Sequence, residues 1–532
     1  MKLETFFEKF DQFADAPDAV AKMRELVFQL AVQGRLVQQD RTEEPANALL
    51  KGIRAARAAL PANRRSGDET DTIELDEEST PFPPPPGWVW TSLGKVQVFT
   101  NGYAFKSEDY QSSGVGIIRM GELGANGEID ERNMKYVSDN IAQSLPDTFR
   151  VKPGDLLMGM SGSIGKLAIN RSDKSYLLNQ RVGRLEPILI EKAFLHVFLK
   201  TVEQHYLQIS FGMAIKNLST KQINETPFPL PPLAEQKRIV AKVDELMALC
   251  DRLEAQQQER ETRHAALARA SLARFADAPT PANLPFLFHP SYAIPPADLR
   301  KSILTLAVQG KLVPQDPNDE PAFARGDTEI DFDSPPGWLS GTVFDLAVLK
   351  SGNSFPNEEE VAEGEYLYVK VSDMNLPENQ HEITTSSRFI NPKDRDLRGL
   401  IPANAIIFPK RGGAIATNKK RLVKTPIFVD SNTMAMICPT FIELRYLHVW
   451  FLGIDLWELN SGTSVPQINN KDIGPLVIPI PPLAEQRRIV AKVDQLMALV
   501  DELETQLAAS RATAANLLSA VVSELTCAKQ SV

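Results

Sequence analysis

The chain has almost no cysteine. Cys250, Cys438 and Cys527 are its 3 in 532 residues, and they lie far apart. A small, odd and scattered set builds neither a disulfide framework nor a zinc knuckle, so a reducing cytoplasm is the expected setting. No apolar run approaches the ~20 residues that span a bilayer. The first residues, MKLETFFEKFDQFADAP, lack the basic-then-apolar order of a secretion signal. Net positive charge is missing too: 58 Lys and Arg against 68 Asp and Glu leave −10. That excludes little, because binding a polyanion requires local positive charge rather than a positive total. Part of the excess is also confined to one place. Asp68, Glu69, Asp71, Glu74, Asp76, Glu77 and Glu78 form a run without a base, the composition of a solvated linker.

Catalytic signatures are equally scarce. GMSGSIGKL (159–167) resembles a phosphate-binding loop, but Met160 and Leu167 stand where that loop needs glycine and Ser or Thr. A glycine-rich β turn is the expectation. His196 and His448 recur in AFLHVFLK and RYLHVWFL with no carboxylate or thiol partner repeated beside them, which places them on helix faces. No NPPY-type amino-methylating motif, no Asp…Glu-x-Lys nuclease cluster and no Ser or Cys paired with His stands out.

What the sequence has is a repeat. RELVFQLAVQGRLVQQD (24–40) returns as RKSILTLAVQGKLVPQD (300–316), PPGW (85–88) as PPGW (335–338), and PLPPLAEQKRIVAKVDELMALCD (229–251) as PIPPLAEQRRIVAKVDQLMALVD (479–501). PPGW precedes PPLAEQ by 146 residues in both halves. Between AVQG and PPGW the first half carries 26 extra residues, around the acidic run. The unit is short helix, linker, globular segment, long helix. Two prolines precede the long helix without disturbing its interior, and Glu235 and Glu485 suit the positive end of its dipole. Ile489, Val493, Leu496, Val500, Leu503, Leu507, Ala514, Leu517 and Val521 follow a 3–4 spacing broken only at Ser510. The first copy keeps Ile239, Val243, Leu246, Cys250 and Leu253, then thins out before Leu267. Neither helix is stable alone, so the two are expected to pair. The short helices should end at Gly34 and Gly310, leaving further apolar faces (Ile303, Leu304, Leu306) to pack on that pair or on a partner.

Inside the 146-residue segments, KVQVFT, VGIIRM, YLYVKV, NAIIFP and PLVIPI read as strands of a mainly β domain with some helix. An offset near 250 places Gly102 over Gly352, Arg119 over Lys370, Gly162 over Gly412 and Gly212 over Gly462. The scaffold is shared and the loop contents diverge. Positive charge concentrates in KRGGAIATNKKRLVK (410–424), where Lys410, Arg411, Lys419, Lys420 and Arg421 suit phosphates and Asn418 a base edge. The matching first-half region offers Ser161, Ser163 and Lys166, followed by Asn179, Gln180 and Arg181. Arg119, Lys216, Lys370, Gln467 and Asn469 complete the candidate contacts.

PLPPLAEQ-(K/R)-RIVAKVD after a variable segment, SILTLAVQGKLVPQDPNDEPA before the next, and GTSVPQINNKDI closely resemble the specificity (S) subunit of type I restriction–modification systems. Phe211, Ala214 and Lys216 depart from the family's SGxSxPxIN pattern in the first half. The resemblance implies an α+β fold in which two mainly β target recognition domains are joined by two long antiparallel helices in a pseudo-twofold tandem repeat. Its divisions are residues 1–84, 85–232 (recognition domain 1), 233–334, 335–482 (recognition domain 2) and 483–532. It also implies a non-catalytic chain that binds double-stranded DNA, one half-site per domain. The implied partners are two modification (M) subunits carrying S-adenosylmethionine for adenine methylation, and restriction (R) subunits using Mg2+ and ATP. Neither a cofactor nor a metal is expected on this chain. From the residues alone the competing reading is a coiled-coil scaffold with two β-rich protein-binding modules.

Overall fold

The computed structural model describes residues 16, 18–61, 64, 80–162, 164–211, 217–280, 282–289, 292–322, 335–391, 397–462 and 465–527. The segment before Ala16, the acidic run, and the candidates Ser163 and Lys216 lie outside them. The longer helices among the described residues are α1 (Ala19–Val32), α2 (Ala46–Ala58), α3 (Lys192–Phe211), α4 (Leu233–Asp277), α5 (Pro296–Val308), α6 (Leu444–Leu452) and α7 (Leu483–Cys527). Contacts divide it into unit 1, Met1–Gln258 with Arg511–Val532, and unit 2, Glu259–Ser510.

Unit 1 holds β1 (Val89–Ser92), β2 (Gln97–Asn101), β3 (Val115–Ile118), β4 (Lys135–Val137), β5 (Arg150–Val151), β6 (Leu156–Gly159), β7 (Leu167–Ile169), β8 (Tyr176–Leu178), β9 (Val182–Pro187) and β10 (Pro227–Leu230). They form an antiparallel sheet β2-β9-β6-β7, a mixed sheet β4-β3-β8-β5 with β3 and β8 parallel, and a ribbon β1-β10. Unit 2 holds β11 (Leu339–Thr342), β12 (Val348–Ser351), β13 (Tyr366–Val369), β14 (Phe389–Ile390), β15 (Ala405–Pro409), β16 (Arg421–Val423), β17 (Phe428–Val429), β18 (Thr433–Ile437) and β19 (Val477–Ile480). Its sheets are β12-β18-β15-β16, β14-β13-β17 with β13 and β17 parallel, and the ribbon β11-β19. Among the described residues the topology is that of unit 1, with the β5 pairing reduced to the single bridge Ile401↔Ile427.

The apolar runs are continuous because the central strands are covered on both faces. Successive side chains point to opposite sides of a strand. In β15, Ile406 and Phe408 enter the core shared with α6 (Tyr446, Leu447, Phe451), whereas Ala405 and Ile407 enter the core beneath β13 and β17. In β6, Leu156 and Met158 likewise face Phe194, Leu195 and Phe198 of α3, and Leu157 faces Ile118 and Leu178.

The three repeated anchors meet at one junction in each unit. Beyond α1, Gly34 takes φ +66°, and Arg35 N–H returns to Leu30 O at 2.9 Å. Beyond α5, Gly310 takes φ +65°, and Lys311 N–H returns to Leu306 O at 3.1 Å. This is a left-handed helix stop that suits glycine. A Cβ on Gly34 would sit 2.6 Å from Pro85 and 3.0 Å from Trp88; on Gly310 it would sit 2.5 Å from Pro335 and 3.1 Å from Trp338. The same tryptophans donate their indole N–H to the long helices, Trp88 to Glu235 (2.9 Å) and Trp338 to Glu485 (3.0 Å). The next residue ties down the recognition domain. Gln236 donates to Pro231 O (2.9 Å) and accepts from Glu191 N–H (2.9 Å) before α3; Gln486 does the same with Pro481 O (2.9 Å) and Glu443 N–H (2.7 Å) before α6. Arg24 on α1 bridges Asp251 and Glu254 on α4, and Arg300 on α5 bridges Asp501 and Glu504 on α7.

Within unit 1, Ile239, Val243, Leu246 and Cys250 of α4 share a core with Ala514, Leu518 and Leu525 of α7. Within unit 2, Ala268 and Phe275 of α4 share a core with Ile489, Val493, Leu496 and Val500 of α7. The beginning of each long helix therefore lies with the end of the other. One detail of the expected seam is corrected: Leu517 is 40 % exposed and Leu518 is buried, as Leu267 is 47 % exposed and Ala268 buried. A helix of 3.6 residues per turn lags a strict heptad by about 20° every seven residues, so the seam moves on by roughly one position over four heptads. Ile303, Leu304 and Leu306 do not await a partner; they are buried in the core of unit 2, with α5 against α6.

Candidate nucleic-acid interface

At one end of each unit four segments converge. In unit 2 they are the turn after β12, the loop from β15 to β16, the turn from β17 to β18, and the residues before the short helix Asn470–Ile473. Gly352 N–H donates to Thr433 O (3.0 Å) and Asn353 N–H to Val429 O (3.0 Å). Lys410 N–H donates to Asn432 O (2.8 Å), and Lys410 O accepts from Ile468 N–H (2.8 Å). Unit 1 repeats the scheme with Tyr103 N–H to Leu178 O (2.8 Å), Met160 N–H to Arg181 O (3.0 Å), and Leu218 N–H to Met160 O (2.7 Å). The β-bridges Ser161↔Asn217 and Arg411↔Gln467 match as well. Gly102 and Gly352 permit the approach: a Cβ would lie 2.1 Å from Leu178 O or Asp430 O. The backbone frame is thus common while the side chains on it differ.

In unit 2 the frame gathers several expected contacts. Arg411 is exposed and donates to Gln467 Oε1 (3.4 Å); Gln467 donates in turn to Asn469 Oδ1 (2.7 Å). Lys410 donates to Ser351 Oγ (2.9 Å), and Lys419 donates to Asn375 Oδ1. Burial, followed by the Arg411 charge, lowers the Lys410 pKa. In unit 1, Gln180 and Arg181 are exposed at the β8–β9 turn, capped by Asn179, whose buried side chain accepts from Arg181 N–H (3.2 Å). Ser161 is buried and its Oγ has no hydrogen-bond partner among the described residues, while Lys166 is half-buried. β6 and β7 pair as a hairpin, and between them Gly162 and Gly165 take positive φ, in keeping with a turn.

Five expected contacts are engaged within the frame instead. Lys420 is 1 % exposed and donates to Asn418 Oδ1 (2.8 Å) and Ile454 O (2.6 Å), so its ammonium has no surface from which to meet a phosphate. Asn418, at φ +52°, spends the same oxygen on Leu456 N–H (3.0 Å). Arg119 is paired with buried Glu122 (2.6 Å) and Lys370 with Glu360 (2.7 Å), each at the start of a one-turn helix. Arg421 is half-buried and bonded to Met374 O (3.2 Å) and Lys420 O (3.1 Å). His196 and His448 lie on α3 and α6, where burial pushes each down to about 4.

Burial pushes Lys420 down to about 7. A depressed lysine pKa means that the folded state binds fewer protons than the unfolded one between about 7 and the ordinary value of 10.5. Unit 2 should accordingly gain stability as pH rises through that window. Lys420→Met should flatten the gain, read as unit-2 hydrogen exchange at about pH 7 and about pH 9. An equal pH response in both proteins would place the proton elsewhere.

Residues that the sequence did not single out also stand here. Tyr103 is 40 % exposed, its ring held edge-on by Phe105 (5.1 Å) and Phe149 (5.8 Å). Ser351 and Asn375 fix the lysines; their signal is polar residues just beyond strand ends, which many loops share.

Two copies of one β-rich unit, presenting different side chains on the same backbone frame, define a recognition protein with two heads. Residues 85–261 and 335–510 each match the family described as Type I restriction modification DNA specificity domain, together more than half of the chain. The chain belongs to this family and is a type I restriction–modification specificity subunit with two recognition domains. The Escherichia coli Type I restriction enzyme EcoAI specificity subunit is 24 % identical over 565 residues, covering 94 % of this chain and 93 % of its own. The E. coli EcoBI specificity subunit is 26 % identical over 459 residues, covering 82 % and 85 %. A chain solved in work on complex assembly and conformational transition of the type I R-M system is 19 % identical. It covers 84 % of this chain and 99 % of its own with a TM-score of 0.51, a likeness of fold.

Proposed function

We propose that each loop cluster reads one half of a bipartite, asymmetric target in double-stranded DNA. The chain itself performs no catalysis. It places two M subunits carrying S-adenosylmethionine for adenine methylation and, where R subunits join, Mg2+- and ATP-dependent restriction. The observation that carries this reading is the shared frame with divergent contents: Arg411, Gln467 and Asn469 in unit 2 correspond to Ser161, Asn217 and Ser219 in unit 1. Different donors on one frame predict different base sequences in the two halves.

The test uses the chain with its M subunits and a pool of random duplexes, with bound DNA sequenced. Enrichment of one bipartite sequence, with affinity falling steeply as salt rises, is expected. Uniform binding across the pool, or binding indifferent to salt, would remove the proposal and favour a protein-binding scaffold.

A further inference from the structure

Cations at the loop ends fall into two sets according to what holds them. One set sits on carboxylates: Arg171 on Glu128 (3.5 Å) and Lys174 on Glu131 (2.8 Å) in unit 1, and Lys424 on Glu382 in unit 2. The other set sits on uncharged acceptors, and in unit 2 it comprises Lys410 on Ser351, Arg411 on Gln467 and Lys419 on Asn375. A carboxylate cancels the charge and must be displaced before a phosphate can bind. A hydroxyl or amide holds the cationic head in place and leaves its charge intact, so less freedom is lost when a phosphate arrives.

The strand directions bring these three cations to one end. β15 ends at Pro409 beside the start of β18 at Thr433, and β12 ends at Ser351 beside Met434. β13 runs parallel to β17, so Asn375 follows β13 at the end where Asp430 follows β17. Asp430 is the carboxylate that acts on Lys410, and its oxygens are engaged by Thr433 Oγ1 (2.6 Å) and Asn432 Nδ2 (3.0 Å). In unit 1 the positions matching Lys410 and Arg411 are Met160 and Ser161, which carry no charge. Among the described residues, the exposed cation at that end of unit 1 without a carboxylate partner is Arg181, beside Tyr103 and Gln180.

We infer that the two units grip DNA unequally. Unit 2 supplies the larger salt-sensitive hold on phosphates through Lys410, Arg411 and Lys419, whereas unit 1, among its described residues, brings one exposed cation without a carboxylate partner, Arg181, to its loop cluster. This rests on the proposal that both loop clusters meet DNA.

The test measures log affinity against log salt for the chain with its M subunits. Two duplexes are used, one carrying the enriched bipartite sequence and one scrambled. Lys410→Gln, Arg411→Gln and Lys419→Gln combined keep a hydrogen-bond donor for each neutral partner and remove three charges. On both duplexes the slope should fall by up to about 2.7, near 0.9 per lost contact. Arg181→Gln should lower it by about 0.9, and Lys174→Gln with Lys424→Gln should leave it unchanged. A slope lowered by less than about 0.9 in the triple variant, or lowered as much by the Lys174 and Lys424 changes, would overturn the inference. Equal wild-type affinity for the two duplexes would instead sink sequence reading, and the slopes would still judge the grip.

Discussion

Exchanging residues 343–476 for the corresponding segment of another specificity subunit should replace one half of the methylated site and leave the other half as it was. The cut points follow from the structure. Val343 N–H donates to Leu476 O at 2.9 Å, so both ends of the segment lie side by side at the mouth of the ribbon β11-β19. The ribbon, Trp338, Glu485 and Gln486 stay in place, and with them the junction that seats the recognition domain on α7. The loop cluster proposed to read bases in unit 2, from Ser351 to Asn469, moves as a block. Unit 1 has its own equivalent closure, Leu93 N–H to Thr226 O at 2.8 Å, and keeps its own core. The readout is the set of methylated adenines in a host carrying each chain with the M subunit. A change in both halves, or in neither while methylation continues, would refute one domain per half-site.

The repeat and its anchors were legible because each anchor is a backbone or helix-end requirement with a narrow choice of residues. Gly34 and Gly310 stop helices in the left-handed region, and two prolines start each long helix. That these anchors converge was not legible. A dipole argument explains Glu235 and Glu485 without a partner, and nothing local pairs Trp88 with a residue 147 positions away. The loop cluster was legible as a region, and the surroundings of its basic residues were misread in part. Basic residues in one run look alike, yet β16 alternates, and Leu422 faces the α6 core. Lys420, two residues earlier, shares that face and lies over Phe451 at 5.0 Å. The alternation was a usable signal that charge counting overrode. Arg119 and Lys370 align because each starts the same turn, which a conserved offset cannot distinguish from a shared ligand.

The convergence of anchors carries the second large effect. Trp338 is buried between Gly310, Pro335 and the first turn of α7, so Trp338→Ala opens a cavity at the point where three segments of unit 2 meet. Large aromatic-to-alanine changes in cores cost about 3–5 kcal/mol. At about 1.4 kcal/mol per tenfold, hydrogen exchange that proceeds by unfolding of β15 and β18 should quicken by roughly 10²–10⁴-fold. Methylation of the intact bipartite site should fall with it. Phenylalanine separates the packing from the hydrogen bond. In unit 1, Glu235 accepts from Gln39 (2.7 Å) as well as from Trp88, so Trp88→Phe leaves its carboxylate one donor. In unit 2, Glu485 accepts from Trp338, and its Oε1 has no partner among the described residues. Trp338→Phe therefore strands a buried carboxylate whose pKa burial already raises. Losing the last bond to a buried charged group costs more than losing one of two, by about 1–3 kcal/mol. Trp338→Phe should consequently destabilise unit 2 more than Trp88→Phe destabilises unit 1. Because an acid with a raised pKa loses stability as pH climbs through that value, the difference should shrink toward acidic pH. Equal costs at neutral pH in the two units would mean that the indole N–H contributes nothing beyond shape.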